Sequence, residues 1–362
     1  MLNYVSIFRL FQFSAAVVDR VMATFSYQDR LPSLPVPDLD VTLDKYLKSA
    51  TLLLSPEEER RTRKNVEDFR KSAVAKTLQT ALINKSKKDR NWIEDWWYDA
   101  YLETRVPLIP FSSLGSYNPN TPRGPPEEQI PRSADVMHHL MQYWMKIRRQ
   151  EIPQTKSRGI PWDMHQYYVL YNSNRTPGLP KDRMDRYFKS ASEGSCPSNV
   201  IVLCRGALWS VEMIVDGEVR SPDDLVRILR HIEMHSPNVS HSPATLTTEH
   251  RDAWAKYHKE LLEVSERNRK SIATIEQAAF ALTLAEDTAE TPLDVLTYSM
   301  HGRHNAQWAD KCMNTIMLRD CQMAFQADHS NVDAIVVLDA TDKVGPQMRK
   351  HKWTPKVDNF EI

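Results

Sequence analysis

Two pairs of short apolar stretches, each pair joined by a tight turn, constrain the fold of this chain most. Residues 199–212, NVIVLCRGALWSVE, form two such runs that meet at Gly206, and residues 313–328, MNTIMLRDCQMAFQAD, form two more that turn near Arg319. Short runs of apolar and β-branched residues that meet at a turn are typical of paired β-strands. Because many helical segments surround these strands, we predict a layered α/β domain.

Helices are predicted where a capping residue opens an amphipathic run. Ser55, followed by proline, opens one long surface helix that we expect over residues 55–89. Ser221, also followed by proline, opens a helix that ends near His235. The turn-rich stretch 112–133 is predicted to be a loop. Further helices are predicted to begin near residue 42 and to occupy 91–106, 134–150 and 183–189, with two more in 248–284.

Charge and cysteine usage exclude several classes of protein. The 47 basic and 47 acidic residues cancel, so no overall field attracts nucleic acid or an anionic membrane. The four cysteines are widely spaced, which favours reduced thiols in an intracellular compartment. With nine glycines and no glycine-rich phosphate loop, the chain is not expected to hold a nucleotide cofactor on a backbone loop.

The first 24 residues superficially resemble a targeting segment. Arg9, Asp19 and Arg20 interrupt their apolar character, and no run approaches the ~20 apolar residues that a membrane span requires. Met22 offers a second start just before a polar stretch. We therefore interpret residues 1–24 as an extension of uncertain role, and we expect residues 1–21 to be dispensable for the fold.

One histidine carries an acidic residue four positions later in the chain. Of the twelve histidines only His329 has this spacing, to Asp333. A carboxylate one helical turn away can hold an imidazole in one tautomer and stabilise the imidazolium that forms when it accepts a proton. A structural interpretation is equally physical. Ser330 and Asp333 fit a capping box, in which His329 merely precedes a helix.

Two other groups of side chains have a functional and a structural interpretation. His231 and His235 lie four apart on one predicted helix and could form half of a metal site, but the sequence offers no third ligand. No metal is therefore expected.

The indole rings of three tryptophans that are close in the sequence could line a pocket for a quaternary ammonium ion, although core packing is the commoner role of such side chains. They are Trp92, Trp96 and Trp97.

Several motifs, taken in order, resemble the carnitine/choline acyltransferase family. They are FSYQDRLPSLPVPDLDVTLDKYL, NWIEDWWYDAYLETRVPL, SNVIVLCRGALWSVEMI, TLTTEHRDAWAK, QWADKCMNTIM and ADHSNVDA, spread from about Phe25 to about Leu338. The resemblance implies a fold like that of CoA-dependent acyltransferases such as chloramphenicol acetyltransferase, with a mixed sheet and flanking helices. It also implies an enzyme that transfers an acyl group, of medium length by the closest likeness, between CoA and carnitine.

The same resemblance assigns roles to four residues. His329 matches the family's catalytic base and Asp333 its orienting acidic partner, while Trp97 and Tyr101 match substrate-binding positions. The chain is one residue shorter than the family pattern between Trp97 and Tyr101. On a helix this difference rotates the later side chains by about 100°. In the family the base acts on the carnitine hydroxyl or the CoA thiol without an acyl-enzyme, so CoA is a substrate and no bound cofactor is expected.

The resemblance reaches only the N-terminal half of the family pattern. It implies an N-terminal acyltransferase domain over residues 25–340 and a truncated tail over 341–362. The family's Ser-Thr-Ser motif does not occur in the sequence, so a complementary C-terminal half would have to supply that motif and much of the CoA and carnitine site. A catalytically inactive product that binds a ligand or a partner is the alternative. A peroxisomal location is implied by likeness, although the final residues, FEI, are not a peroxisomal signal; cytoplasmic and mitochondrial locations stay open.

Overall fold

Six strands form one mixed sheet. In spatial order they are β1 (Ser113–Tyr117), β12 (Met323–Asp328), β11 (Asn314–Met317), β10 (Ala281–Leu284), β6 (Asn199–Cys204) and β7 (Ala207–Glu212). β10 pairs in parallel with both β6 and β11, and the other neighbours are antiparallel. The mixed sheet with flanking helices that the sequence predicted is confirmed. The computed structural model of the protein describes residues 23–330 and 332–350, with side chains to residue 346.

Smaller ribbons and eleven helices complete the described part of the chain. The ribbons are β2 (Lys156–Ser157) with β3 (Ile160–Pro161), β4 (Ser173–Thr176) with β5 (Arg183–Arg186), and β8 (Ile214–Val215) with β9 (Glu218–Val219). The helices are α1 (Leu39–Ala50), α2 (Pro56–Lys71), α3 (Ala73–Ser86), α4 (Glu94–Leu102), α5 (Leu108–Phe111), α6 (Gln129–Arg148), α7 (Pro222–His235), α8 (Arg251–Val264), α9 (Glu266–Gln277), α10 (Pro292–His301) and α11 (Ala334–Lys350).

The chain divides into two compact units. The smaller unit is Asp29–Tyr98, and the larger holds the rest of the described chain, including the whole sheet. One face of the sheet packs against α6, α7 and α11, where Trp144, Leu229 and Val336 are buried. The other face packs against α8, α9 and α10 through side chains that include Trp254 and Val295. A sheet covered on both faces buries its strands almost completely, as the fully buried pattern of β10 and β12 shows.

The smaller unit is an assembly of helices. Ser55 caps α2 with a capping box closed by Glu58, as the sequence led us to expect of its start. The single helix predicted over residues 55–89 is wrong, because the chain breaks at Ser72. There the backbone is extended and the hydroxyl accepts a hydrogen bond from the N–H of Ala75 at 3.1 Å. This local bond caps a new helix in place of continuing the old one.

Three further predictions are corrected by strand pairing. Residues 183–189 were predicted to be helical, but Arg183–Arg186 form β5, whose backbone pairs with β4. The predicted loop 112–133 contains β1 and the start of α6. The helical stretch predicted to end at 284 ends at Gln277, and β10 follows. β1 and β10 pair with strands that are distant in the sequence, whereas β5 pairs with its neighbour β4, and local propensity does not reveal these pairings.

The proposed extension, residues 1–24, lies outside the described residues except for its last two. Thr24 is fully buried. Its hydroxyl donates to the carbonyl of Ile152 at 2.7 Å and accepts from the N–H of the same residue at 3.1 Å. The chain is therefore tied to the larger unit from Thr24 onwards, and the role of the preceding residues stays a prediction.

Candidate active site

His329 stands at the end of the sheet, directly after the last residue of β12. Its side chain is partly exposed. Its backbone N–H donates to the carbonyl of Ser112 at 2.8 Å. Because Ser113 of β1 is paired with Asp328 of β12, this bond extends the ladder by one step. The turn that carries His329 is thus fixed at the end of the sheet, with its imidazole partly exposed and its Nδ1 buried.

Tyr101 forms an aromatic wall beside His329. It lies in the last turn of α4, and the two rings are 5.6 Å apart between centroids with 36° between their planes. Burial raises the pKa of the Tyr101 hydroxyl, and the carboxylates of Asp328 and Asp333 raise it further. Both carboxylates therefore lie close enough to act on this ring. The structure brings Tyr101 to His329 although the chain is one residue shorter here than the family pattern.

Asp333 occupies the position just before α11, not the third position of a helix opened by Ser330. Its N–H donates to the side-chain carbonyl of Gln166 at 2.7 Å, and its side chain is exposed. The hydroxyl of Ser330 donates to Asp328. Since α11 begins only at Ala334, the capping box that offered a structural interpretation does not form. Orientation of His329 by Asp333 stays a prediction.

Of the three tryptophans in the smaller unit, Trp92 is buried while Trp96 and Trp97 are about half exposed. Trp92 is buried, and its indole N–H donates to the carbonyl of Leu34 at 3.0 Å. The ammonium of Lys85 lies 5.2 Å from the ring centre of Trp96, so a cation already occupies one face of that indole. Trp97 is about half exposed, at 44%. A substrate-binding role for Trp97 stays a prediction.

A network of charged side chains, buried except for the partly exposed Arg105, lies behind the site. Asp182 accepts hydrogen bonds from Arg175 at 2.8 Å, from Arg251 at 2.7 Å and from Arg105 at 3.0 Å. Arg251 also donates to Asp310 at 2.7 Å. Burial raises the pKa of Asp310 to about 6, although Arg251 and Trp254 lower it. Charges can be buried in this way only where each finds partners.

Sequence reasoning missed this network and its link to the site. Asp328 is buried at the end of β12, and its carboxylate accepts from the hydroxyl of Ser112 at 3.0 Å and lies 3.5 Å from the guanidinium of Arg175. No periodic pattern marks these residues. Ser112 and Asp328 are 216 positions apart, so only the folded chain brings them together.

No metal centre is apparent among the described residues, which contain no group of three or more histidine, cysteine, aspartate or glutamate side chains able to hold an ion. His231 and His235 stack on α7 with ring centroids 4.1 Å apart, and Nδ1 of His235 bonds to the carbonyl of His231 at 2.8 Å. The four cysteines are free thiols.

None of the helices among the described residues has the length and apolar character that a membrane span needs.

Comparison with known proteins places this chain in a family. The sequence model described as Choline/Carnitine o-acyltransferase matches residues 34–361. The peroxisomal carnitine O-octanoyltransferase of Rattus norvegicus is 32% identical over 336 residues, which cover 90% of this chain and 55% of that protein. The human protein of the same name is 31% identical over 355 residues, 94% of this chain and 58% of the relative. The carnitine O-acetyltransferase of Rattus norvegicus is 28% identical over 339 residues, 90% of this chain and 54% of the relative.

The mixed α/β domain that carries His329 is matched along most of its length by these relatives. The chain belongs to the choline/carnitine O-acyltransferase family. It spans about half the length of the curated relatives it matches. A solved chloramphenicol acetyltransferase aligns with 71% of this chain and 96% of its own, at a TM-score of 0.31 and 9% identity, a likeness too slight to support any inference.

Proposed function

We propose that this chain takes part in carnitine O-acyltransfer, in which acyl-CoA and carnitine yield acylcarnitine and CoA. The position of His329 carries the proposal, because the turn after β12 is held by Ser112 while the imidazole stays partly exposed beside Tyr101. The family motif ADHSNVDA at this point supports it.

In the proposed reaction His329 acts as general base and then as general acid. Its imidazole takes the proton of the carnitine hydroxyl as the oxygen attacks the thioester carbonyl. The C–S bond then breaks, and the departing CoA thiolate receives the proton from the imidazolium. The histidine returns to its neutral state, and no acyl group is attached to the protein. Asp333 is proposed to orient the imidazole and to stabilise its charged form.

The substrates are proposed by likeness. The relatives named as octanoyltransferases support a medium-chain acyl group, and their names support carnitine as acceptor. We further propose that Tyr101 and Trp97 contact the substrate, and that CoA enters as substrate with no resident cofactor. The names of these relatives also support a peroxisomal location, which imaging of the tagged chain against a peroxisomal marker would test.

A complementary half is proposed to complete the site. The chain spans 53–58% of the relatives' length, and a base alone contributes only about 10²–10⁴ to a rate. Substrate positioning contributes up to ~7–11 kcal/mol. Large apolar side chains near the site are exposed and could meet such a half: Phe111, Ile335 and Leu338. Binding of a ligand or partner without catalysis is the second candidate function.

Thiol release from octanoyl-CoA tests the proposal. The chain is assayed with and without carnitine, alone and mixed with the C-terminal half of the rat octanoyltransferase. We expect carnitine-dependent release only in the mixture. Binding of the C-terminal half without any release, while full-length rat enzyme is active under the same conditions, would favour the non-catalytic function.

A further inference from the structure

The guanidinium group of Arg175 joins the segment of Tyr101 to the rest of the site. Its side chain is fully buried. One terminal nitrogen, Nη2, donates to the carbonyl of Tyr101 at 2.7 Å and to that of Thr104 at 3.3 Å. Tyr101 lies in the last turn of α4, where its carbonyl also accepts the N–H of Thr104 at 3.1 Å, and Thr104 lies two residues beyond the end of that helix. Arg175 therefore holds the helix end that carries the Tyr101 ring.

The other terminal nitrogen of Arg175 faces the His329 side. Nη1 donates to the hydroxyl of Ser112 at 3.3 Å and lies 3.5 Å from the carboxylate of Asp328. The backbone carbonyl of Ser112 in turn accepts a hydrogen bond from the N–H of His329. One planar group thus contacts both the residue before His329 and the residue that holds the His329 backbone.

Arg175 is itself held in place. Its Nε donates to Asp182 at 2.8 Å, and its backbone N–H donates to the carbonyl of Asp310 at 2.9 Å. Asp182 is fixed by Arg251, by Arg105 and by the N–H of Gly178 at 3.2 Å. Because the anchor is rigid and buried, a displacement of the guanidinium would move both segments that it contacts.

We propose that Arg175 is a positioning residue that sets the separation of Tyr101 and His329. The flat guanidinium places donors in fixed directions, which allows one side chain to bind two backbone segments at once. A lysine keeps the charge but has a single nitrogen, which cannot occupy the positions of both Nη1 and Nη2. The importance of this separation for catalysis rests on the proposed function; the positioning itself does not.

The test measures the distance between the two rings in the 362-residue chain. The probe is the nuclear Overhauser effect between the ring protons of Tyr101 and those of His329. The protein is deuterated except for its tyrosines and histidines, and the two ring signals are assigned by their loss in Tyr101→Phe and His329→Gln. We expect Arg175→Lys to keep the fold, judged by its methyl spectrum, and to weaken this signal. A displacement of about 1 Å would reduce a signal that falls with the sixth power of distance by about two- to threefold.

Arg251→Lys is the matched control. Arg251 is equally buried and shares Asp182, but its guanidinium binds Asp182 and Asp310 rather than Ser112 or the end of α4. Because Arg251 reaches the two segments only through these two carboxylates, Arg251→Lys should lose less of the signal than Arg175→Lys. An unchanged signal in Arg175→Lys, or an equal loss in both variants, would overturn the proposal.

A second variant covers the case in which Arg175→Lys does not fold. Ser112→Ala removes the hydroxyl between Arg175 and Asp328 without removing a charge, and it should weaken the same signal by a similar factor. A folded Ser112→Ala chain with the parent signal would overturn the proposal. Failure of carnitine acyltransfer would leave these ring distances standing, so the two claims fail separately.

Discussion

The carboxylate of Asp182 lies 2.7 Å from Nε of Arg251, and both side chains are fully closed to solvent. Removing one partner of such a pair leaves the other charge buried without compensation, which costs about 3–5 kcal/mol. Asp182→Asn should therefore lower the free energy of unfolding by that amount, measured as a shift of the urea midpoint at constant slope.

Asp252 provides the comparison for Asp182, because it also pairs with Arg105 but is half exposed. Asp252→Asn should cost less than about 1 kcal/mol, as surface ion pairs do. Equal losses in the two variants would show that burial of the network does not determine its contribution.

Lys311 predicts an unusual dependence of stability on pH. Its side chain is fully buried, and its ammonium donates to the carbonyl of Glu276. Burial lowers the pKa of this amine to about 8, while Cys312 and Glu276 raise it by less. The folded pKa is below the unfolded one, so between about pH 8 and 10.5 the unfolded chain binds more protons and stability rises with pH.

Lys311→Met should remove this rise. Between pH 7.5 and 9.5 the parent should gain about 2 kcal/mol relative to the variant. Urea unfolding of both chains at several pH values measures the difference, in which the other titrating groups cancel. Parallel stability curves for parent and variant would show that the amine keeps its ordinary pKa.

Asp333→Asn tests the proposed partner of His329. The amide keeps the size of the side chain and loses its charge, so support for one tautomer and for the imidazolium should be lost. In the mixture with the complementary half we expect turnover to fall at least ~10² while substrate affinity is nearly unchanged. Equal turnover of the variant and the parent would show that Asp333 does not support His329 and serves only at the position before α11.

Residues 1–21 are expected to be dispensable for the fold. A chain that starts at Met22 keeps both hydrogen bonds between Thr24 and Ile152. It should melt within a few degrees of the full chain, since about 1 kcal/mol corresponds to only ~2–4 °C at this size. A melting temperature more than ~10 °C below that of the full chain would show that the preceding residues pack on the domain. Thr24→Ala gives the effect of losing the Thr24 contact alone.

Local signals predicted those parts of the fold that depend on neighbouring residues. Ser55 and Ser221 cap their helices, and the turn at Gly206 joins β6 and β7, because caps and tight turns are decided within a few residues. β1 was missed because its partner, β12, is distant in the sequence. Gly115 in that strand lies so close to α10 that a Cβ would clash with the Ser299 hydroxyl, a contact that no local pattern indicates.

The candidate site divides in the same way. His329 and Asp333 were found by their spacing and by resemblance, since both occupy one short motif. Arg175 and Asp182 carry no such mark. Only the folded chain brings α4, β4 and the end of β12 together around the buried guanidinium of Arg175.

The central claim is that His329 is the base of carnitine acyltransfer, and His329→Ala tests it most directly. Carnitine-dependent thiol release from octanoyl-CoA is measured in the mixture with the complementary half, with His241→Ala as a control because His241 is an exposed histidine in a turn. We predict a loss of at least ~10² for His329→Ala and no change for His241→Ala. Release by His329→Ala at the parent rate would contradict the account.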